Sequence, residues 1–245
     1  MTGHGRVPWL ERRAAVDLGT ARARLAGLGH PSIIDEPAVM PGAAAPVRHG
    51  LVADTAACAH LVGRLLRAAG GRAPERVLVG VPVTASPAER VRVTGVVRRV
   101  AGCPATAVEE PLAAALGSGL DVTDVRPQLL VDVGAGIVEA VVIREAAVTD
   151  AVAVQLPHDQ ERPPQDRIAQ MAAELLSRLP ARLRPVTRER GLILTGGGAL
   201  SPGLAGHLCA RLGMTVSCAA EPAQATVRGL ARLCLPPMAA LLALA

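Results

Sequence analysis

The 245-residue chain has no phenylalanine, tyrosine, lysine or asparagine, and a single tryptophan, Trp9. These four missing types share A/T-rich codons, so their joint absence points to a GC-rich bacterial genome rather than to a requirement of the fold. Leucine, valine and isoleucine must fill the core almost unaided. One tryptophan makes no platform on which successive bases could stack. Without lysine, the net charge of +5 is carried by arginine alone. The arginines are scattered, densest at Arg12-Arg13 and Arg98-Arg99, and read as a solvated surface; no nucleic-acid partner is expected. None of the five cysteines forms a C-x-x-C pair and the six histidines are dispersed, so zinc spacing is missing and reduced thiols in a cytoplasm are expected. The polar start, Met1 to Arg13, lacks the pattern of a signal peptide, and no apolar run reaches spanning length; the tail Met238 to Ala245 is apolar but short. With half the residues apolar and 19% charged, disorder is excluded.

What is present alternates. Ala14 to Val16 predicts a strand running into Asp17-Leu18-Gly19-Thr20, followed by strands at Arg22 to Ala26 and at Ser32 to Ile34 or Ala38 to Met40. Residues 41–46 read as a loop. Thr55 to Ala69 has apolar residues at helical spacing and stops at Gly70-Gly71. Val77 to Val81 has the composition of a buried parallel strand. Ser86-Pro87-Ala88-Glu89 opens a helix to about Val100 with a cap, a first-turn proline and a glutamate at the third position. Further strands are expected at Thr106 to Val108, Leu129 to Val133, Glu139 to Arg144, Ala147 to Gln155, Leu192 to Thr195 and Thr215 to Cys218. Helices are expected at Pro111 to Gly117, Pro163 to Leu179, Leu204 to Leu212 and Ala223 to Leu233. Each half thus begins with strand–Asp–x–Gly, continues as a meander, and then alternates helix and strand. That is an α/β protein of two similar halves with a cleft between them.

Four segments could carry chemistry: Asp17 to Thr20, Glu109 to Ala115, Asp132 to Gly136, and Thr195 to Leu200. Three are glycine turns at strand ends, which expose backbone N–H groups and admit a phosphate without a β-carbon in the way. An aspartate beside two such turns could hold a hydrated Mg²⁺. Glu110 could orient a water toward a terminal phosphate. Taken singly, each segment reads as an ordinary turn, connector or helix start; their order and spacing together favour function.

That order resembles the actin, sugar-kinase and heat-shock ATPase superfamily, and within it the MreB/Mbl family. Asp17-Leu18-Gly19-Thr20-Ala21 is similar to the family's first phosphate loop, Asp35-Glu36-Pro37 to its N-E-P, and Gly50 to Asp54 to its D-G-V-I-A-D. Val81-Pro82 with Glu89-Arg90 resembles V-P…E-R-R, and Glu109 to Leu120 resembles E-E-P-M-A-A-A-I-G-A-G-L. Asp132 to Glu139 is similar to D-I-G-G-G-T-T-E, Leu194 to Leu200 to L-T-G-G-G-A-L, and Glu221-Pro222 to D-P. The resemblance runs, with gaps, from about Ala14 to Leu233.

It implies an actin-like (ribonuclease H-like) fold with ATP and Mg²⁺ in the interlobe cleft and a cytoskeletal role in cell shape or cell-wall morphogenesis. The implied segments are a leader (1–13), a first lobe (14–112), a second lobe (113–221), a helix returning toward the first lobe (222–235) and an apolar tail (236–245). Asp17 and Asp132 would sit by the metal through water, and Glu110 would orient the attacking water. Gly19, Thr20, Gly134 and Gly136 would touch the phosphates, Gly197, Gly198, Ala199 and Leu200 would border the nucleoside, and Ala21, Arg22, Ala135, Ile137 and Gly196 would complete the nucleotide site. The departures predict weakness. Arg22-Ala23 stands where the family has Asn-Thr, and Gly134-Ala135-Gly136-Ile137-Val138 where it has G-G-G-T-T. Losing a hydrogen bond to a charged group costs about 1.5–3 kcal/mol, or roughly ten- to a hundred-fold in affinity. The stretches Met40 to Gly50 and Gln155 to Leu192 leave little for the family's upper subdomains IB and IIB, which are expected to be reduced or lost, together with the Glu/Lys helix that clamps adenosine. The expected partners are a full-length MreB-like paralogue or cell-wall synthesis proteins, without direct membrane insertion and without long filaments of the chain alone. The alternative is a small ATPase or kinase-like enzyme of the superfamily with retained turnover.

Overall fold

The computed structural model describes residues 12–39, 44–157, 164–235 and 238. The leader through Glu11 with Trp9, the loop residues 40–43, Pro163, and the tail apart from Met238 lie outside the described residues. The first sheet holds β1 (Arg13–Leu18), β2 (Arg22–Gly27), β3 (Ile34–Pro37), β6 (Arg76–Val81) and β7 (Ala105–Glu109), in the order β3-β2-β1-β6-β7. The second holds β8 (Gln128–Val133), β9 (Ile137–Arg144), β10 (Ala147–Gln155), β11 (Leu192–Thr195) and β12 (Val216–Cys218), in the order β10-β9-β8-β11-β12. The two orders are the same design: an antiparallel meander of three strands extended by two parallel ones.

Side chains of a strand alternate between faces, and that alternation builds three cores. Ala14, Val16 and Leu18 of β1, with Val77, Val79 and Val81 of β6, face helices α1 (Thr55–Ala68) and α2 (Pro87–Ala101). Leu129, Val131 and Val133 of β8 face α4 (Gln165–Arg178) and α6 (Leu204–Leu212). The intervening residues Ala15, Leu78 and Leu130 point the other way, into a shared core built with α3 (Glu110–Gly117) and α7 (Ala225–Leu233). Two helices thus lie between the sheets and weld the halves together, with every residue of β8 buried.

Local chemistry sets the helix starts. The Asp54 carboxylate accepts the Ala57 N–H at 2.8 Å and opens α1. Ser86 and Glu89 form a capping box with Pro87 in the first turn, and Gly102 closes α2 at φ 68°. The third strand occupies Ile34–Pro37, between the two expected positions, because its Asp35 and Pro37 pair in register with Arg24 and Arg22 of β2. Two elements were not anticipated. Val47–Arg48 (β4) and Leu51–Val52 (β5) form a short ribbon around His49-Gly50. Helix α5 (Arg184–Arg190) buries only Thr187, so it has no apolar stripe to betray it.

Candidate functional site

The β1–β2 turn and the β8–β9 turn face one another across the two lobes. They are built alike: a β-carbon on Gly19 would stand 2.7 Å from the Arg22 carbonyl oxygen, and one on Gly134 would stand 2.8 Å from that of Ile137. Both positions therefore require glycine. Gly136 comes closest to the opposite lobe, where a β-carbon would meet Thr20 Oγ1 at 2.3 Å and the His49 nitrogen at 3.0 Å. The β4–β5 ribbon closes this junction: His49 Nδ1 lies 2.7 Å from the Gly136 carbonyl oxygen, and the Gly50 N–H donates to Thr20 Oγ1 at 3.3 Å.

Beneath the turns lies a cleft with about 180 Å³ of room, lined by Asp17, Gly19, Thr20, Ala21, Arg22, Gly134, Ala135, Gly136, Ile137, Glu110, Asp132, Gly196 and Gly197. These are expected site residues, brought together from four separate segments. Gly198, Ala199 and Leu200 do not line it. Ala199 is buried in the second-lobe core, and Leu200 is 66% exposed. Arg24, Gly50, Ala223 and Thr226 line the cleft without having been anticipated. A legible signal existed for Arg24. In a strand–turn–strand the residue seven after the aspartate returns opposite it, and Arg24 pairs in register with Asp17 as Glu139 does with Asp132.

The floor is a nest of carboxyl groups. Asp17, Glu110, Asp132 and Glu139 are all buried. Burial raises the Asp17 carboxyl to about 6, against the pull of Arg24. Burial, reinforced by Asp17, raises Asp132 to about 7. Burial and the neighbouring Asp132 raise Glu139 to about 8, although the Val83 N–H donates to its Oε1 at 2.8 Å. Glu110 is pushed well above the usual range by burial and by Asp17, Glu139 and Asp132. Its Oε1 is buried without a hydrogen-bond partner in the described residues. An orphaned carboxyl oxygen at a cleft wall calls for a ligand or a water. A carboxyl so placed holds its proton more firmly than a free glutamate, and positive charge close to it would favour the anion.

Among the described residues no group of three or more His, Cys, Asp or Glu side chains is placed to hold a metal ion directly. An all-protein Mg²⁺ cage therefore does not fit this donor set; Asp17 and Asp132 could contribute to a site completed by water and phosphate oxygens. No helix among them is long and apolar enough to cross a membrane.

Comparison with known proteins gives the same picture. The sequence model of the MreB/Mbl protein family matches residues 42–162 and 160–237. The cell shape-determining protein MreB of Escherichia coli (strain K12) is 26% identical over 180 residues, covering 60% of this chain and 52% of that protein. The chain thus spans about half the length of the curated relatives it matches. Among solved structures, MreB5 of Spiroplasma citri bound to ADP superposes with a TM-score of 0.79 at 16% identity, covering 90% of this chain and 95% of that one. A subunit of the MamK double helical filament superposes with a TM-score of 0.77 at 16% identity, covering 91% and 100%. These two likenesses show the actin-like fold of the chain.

Proposed function

The chain belongs to the MreB/Mbl family, and on that premise we propose that it is an actin-like scaffold protein of cell-shape or cell-wall morphogenesis whose cleft binds ATP weakly and hydrolyses it negligibly. One observation carries the reading. Both glycine turns and Glu110 line the cleft, joined by only Gly196 and Gly197 of the segment from Gly196 to Leu200, which supports a phosphate site with little room beyond it. Its volume of about 180 Å³ falls short of the roughly 300–1,000 Å³ of usual ligand pockets. Ile137, buried at the cleft wall, brings no hydroxyl to the phosphates. MreB5 of Spiroplasma citri has been crystallised with ADP, which makes a nucleotide the first ligand to test.

Calorimetry with Mg-ATP and a phosphate-release assay decide the matter. Weak binding without turnover is the expected result. Low-micromolar affinity with steady turnover, lost in Glu110→Ala, would instead establish the small-ATPase reading.

The upper subdomains IB and IIB are read as reduced. Between β3 and α1 the described residues hold only the β4–β5 ribbon, and between β10 and β11 only α4 and α5. Removing them takes away contact area from a head-to-tail filament, and a stable contact needs about 800 Å² per partner. The protein accordingly acts as a monomer, as a small oligomer or within the filament of a full-length paralogue, in the cytoplasm, and reaches the membrane periphery through cell-wall synthesis partners. Electron microscopy and pelleting of the pure protein with Mg-ATP test the first point, where regular protofilaments would refute it. Co-sedimentation with neutral liposomes tests the second, where strong binding would.

A further inference from the structure

Resting on the reading of the cleft as a phosphate site, we infer that Arg24 is its resident cation, so that the cleft takes up a polyphosphate anion without needing a divalent metal. The two lobes carry the same strand–turn–strand, yet the residues opposite their aspartates differ in sign: Glu139 faces Asp132, whereas Arg24 faces Asp17. Arg24 lies inside the cleft with its side chain 12% exposed, and its Nη1 is 3.5 Å from Asp17 Oδ2. A unit positive charge therefore already stands beside the carboxylate that a hydrated metal would use.

The guanidinium is held from behind. Asp35 Oδ2 accepts Arg24 Nε at 3.1 Å, and Asp35 Oδ1 accepts Arg22 Nε at 2.6 Å. One carboxylate thus fixes two arginines of the cleft wall by their Nε atoms. A guanidinium has five donors, so these contacts leave the Nη2 donors of Arg24 for an anion. Fixed, planar and permanently charged, such a pair suits phosphate oxygens. The glycine turns add backbone N–H groups on the other side, and among the described residues no three or more ligating side chains are grouped to hold a metal by themselves. Cation and cradle are thus both supplied by the chain.

The experiment titrates the full chain with inorganic triphosphate and with ATP by calorimetry, in EDTA and in Mg²⁺. Thermal shift serves as a second readout. The expected result is an affinity in EDTA within about threefold of that in Mg²⁺. Arg24→Gln should lose roughly ten-fold or more of the metal-free affinity, the worth of a charged hydrogen bond, and Arg24→Lys, which keeps the charge without the Nε anchor, should fall between the two. Binding that requires Mg²⁺ in the unmodified chain overturns the inference while leaving the cleft a phosphate site. Binding of neither ligand under either condition overturns both. The unmodified chain decides the question by itself should Arg24→Gln fail to fold.

Discussion

Replacing Gly229 by alanine should be among the most damaging single-methyl changes in this protein. Helices α3 and α7 cross backbone to backbone between the sheets. A β-carbon on Gly229 would stand 1.7 Å from the Ala113 carbonyl oxygen, and one on Gly117 would stand 1.8 Å from that of Ala225. An ordinary carbon–oxygen contact is about 3.3–3.6 Å, so the helices must part by well over an ångström. The obstacle is a helix backbone, which cannot change rotamer. Overpacking costs about 1–3 kcal/mol, and the upper end applies because the shared core, with Leu112, Leu116, Val227 and Leu230, opens with the helices. The intrinsic gain of alanine over glycine in a helix, about 0.8–1 kcal/mol, does not offset this. For a chain of this size each kcal/mol moves Tm by about 2–4 °C, so Gly229→Ala should lower it by roughly 6–12 °C. The control is Gly95→Ala in α2, where nothing lies within 4 Å of the added carbon. It should raise Tm by about 2–4 °C. Scanning calorimetry of the two variants side by side is the assay. Equal shifts, or a Gly229→Ala protein as stable as its parent, would show that α3 and α7 do not touch as described. A shift in phosphate affinity should accompany the loss, since α3 begins with Glu110 and α7 places Thr226 in the cleft.

The buried carboxyls make the metal-free protein less stable as pH rises. Asp17, Asp132 and Glu139 are raised from 3.8, 3.8 and 4.5 to about 6, 7 and 8 in the folded chain, so their contribution is complete below the lower values and is lost as pH rises through the higher ones. Tm in EDTA should therefore fall between about pH 4 and pH 8, and a flat profile would contradict the burial of these groups. Glu110→Gln removes one acid from the nest while keeping its shape, and should blunt that fall; an unchanged slope would exclude Glu110 from it. Gly136→Ala would press on Thr20 and His49 across the lobes and should cost about 1–3 kcal/mol in chemical denaturation. An unchanged midpoint would mean that the lobes stand apart in solution.

The elements with one clear physical signature were legible from the residues alone. The box at Ser86 to Glu89 marks the start of α2, and the β-branched runs around Val79 and Val131 mark the central strands, because local hydrogen bonds and burial on both faces each leave a pattern in sequence. The glycine turns at Gly19 and Gly134 were legible for the same reason: a β-carbon would strike the chain three residues on. Helix α5 escaped because it rests on the surface, and the β4–β5 ribbon because two-residue strands have no period to detect. The motif around Ala199 and Leu200 carries no packing signal, so the burial of the first side chain and the exposure of the second were not legible in it.

What sequence reasoning passed over most completely was charge across a strand pair. Arg24 and Glu139 are unremarkable in their own segments; one reads as surface, the other as the end of a glycine turn. Each acquires meaning only from antiparallel register, which sets Arg24 against Asp17 and Glu139 against Asp132. The two lobes share a topology, so their difference in sign is not required by the fold. A buried carboxylate opposite another carboxylate is costly unless one is protonated or a cation intervenes. In the second lobe protonation supplies the remedy, as the raised Glu139 carboxyl shows. In the first lobe the remedy is covalently attached: Arg24 pulls the Asp17 carboxyl down against the effect of its burial. The cleft is therefore electrically asymmetric: on the first-lobe wall Arg22 and Arg24 are matched by Asp35 and Asp17, whereas on the second-lobe side the carboxyl groups of Asp132 and Glu139 face each other. An anion entering between the turns will sit closer to the first lobe than the near-symmetric glycine cradle alone would place it.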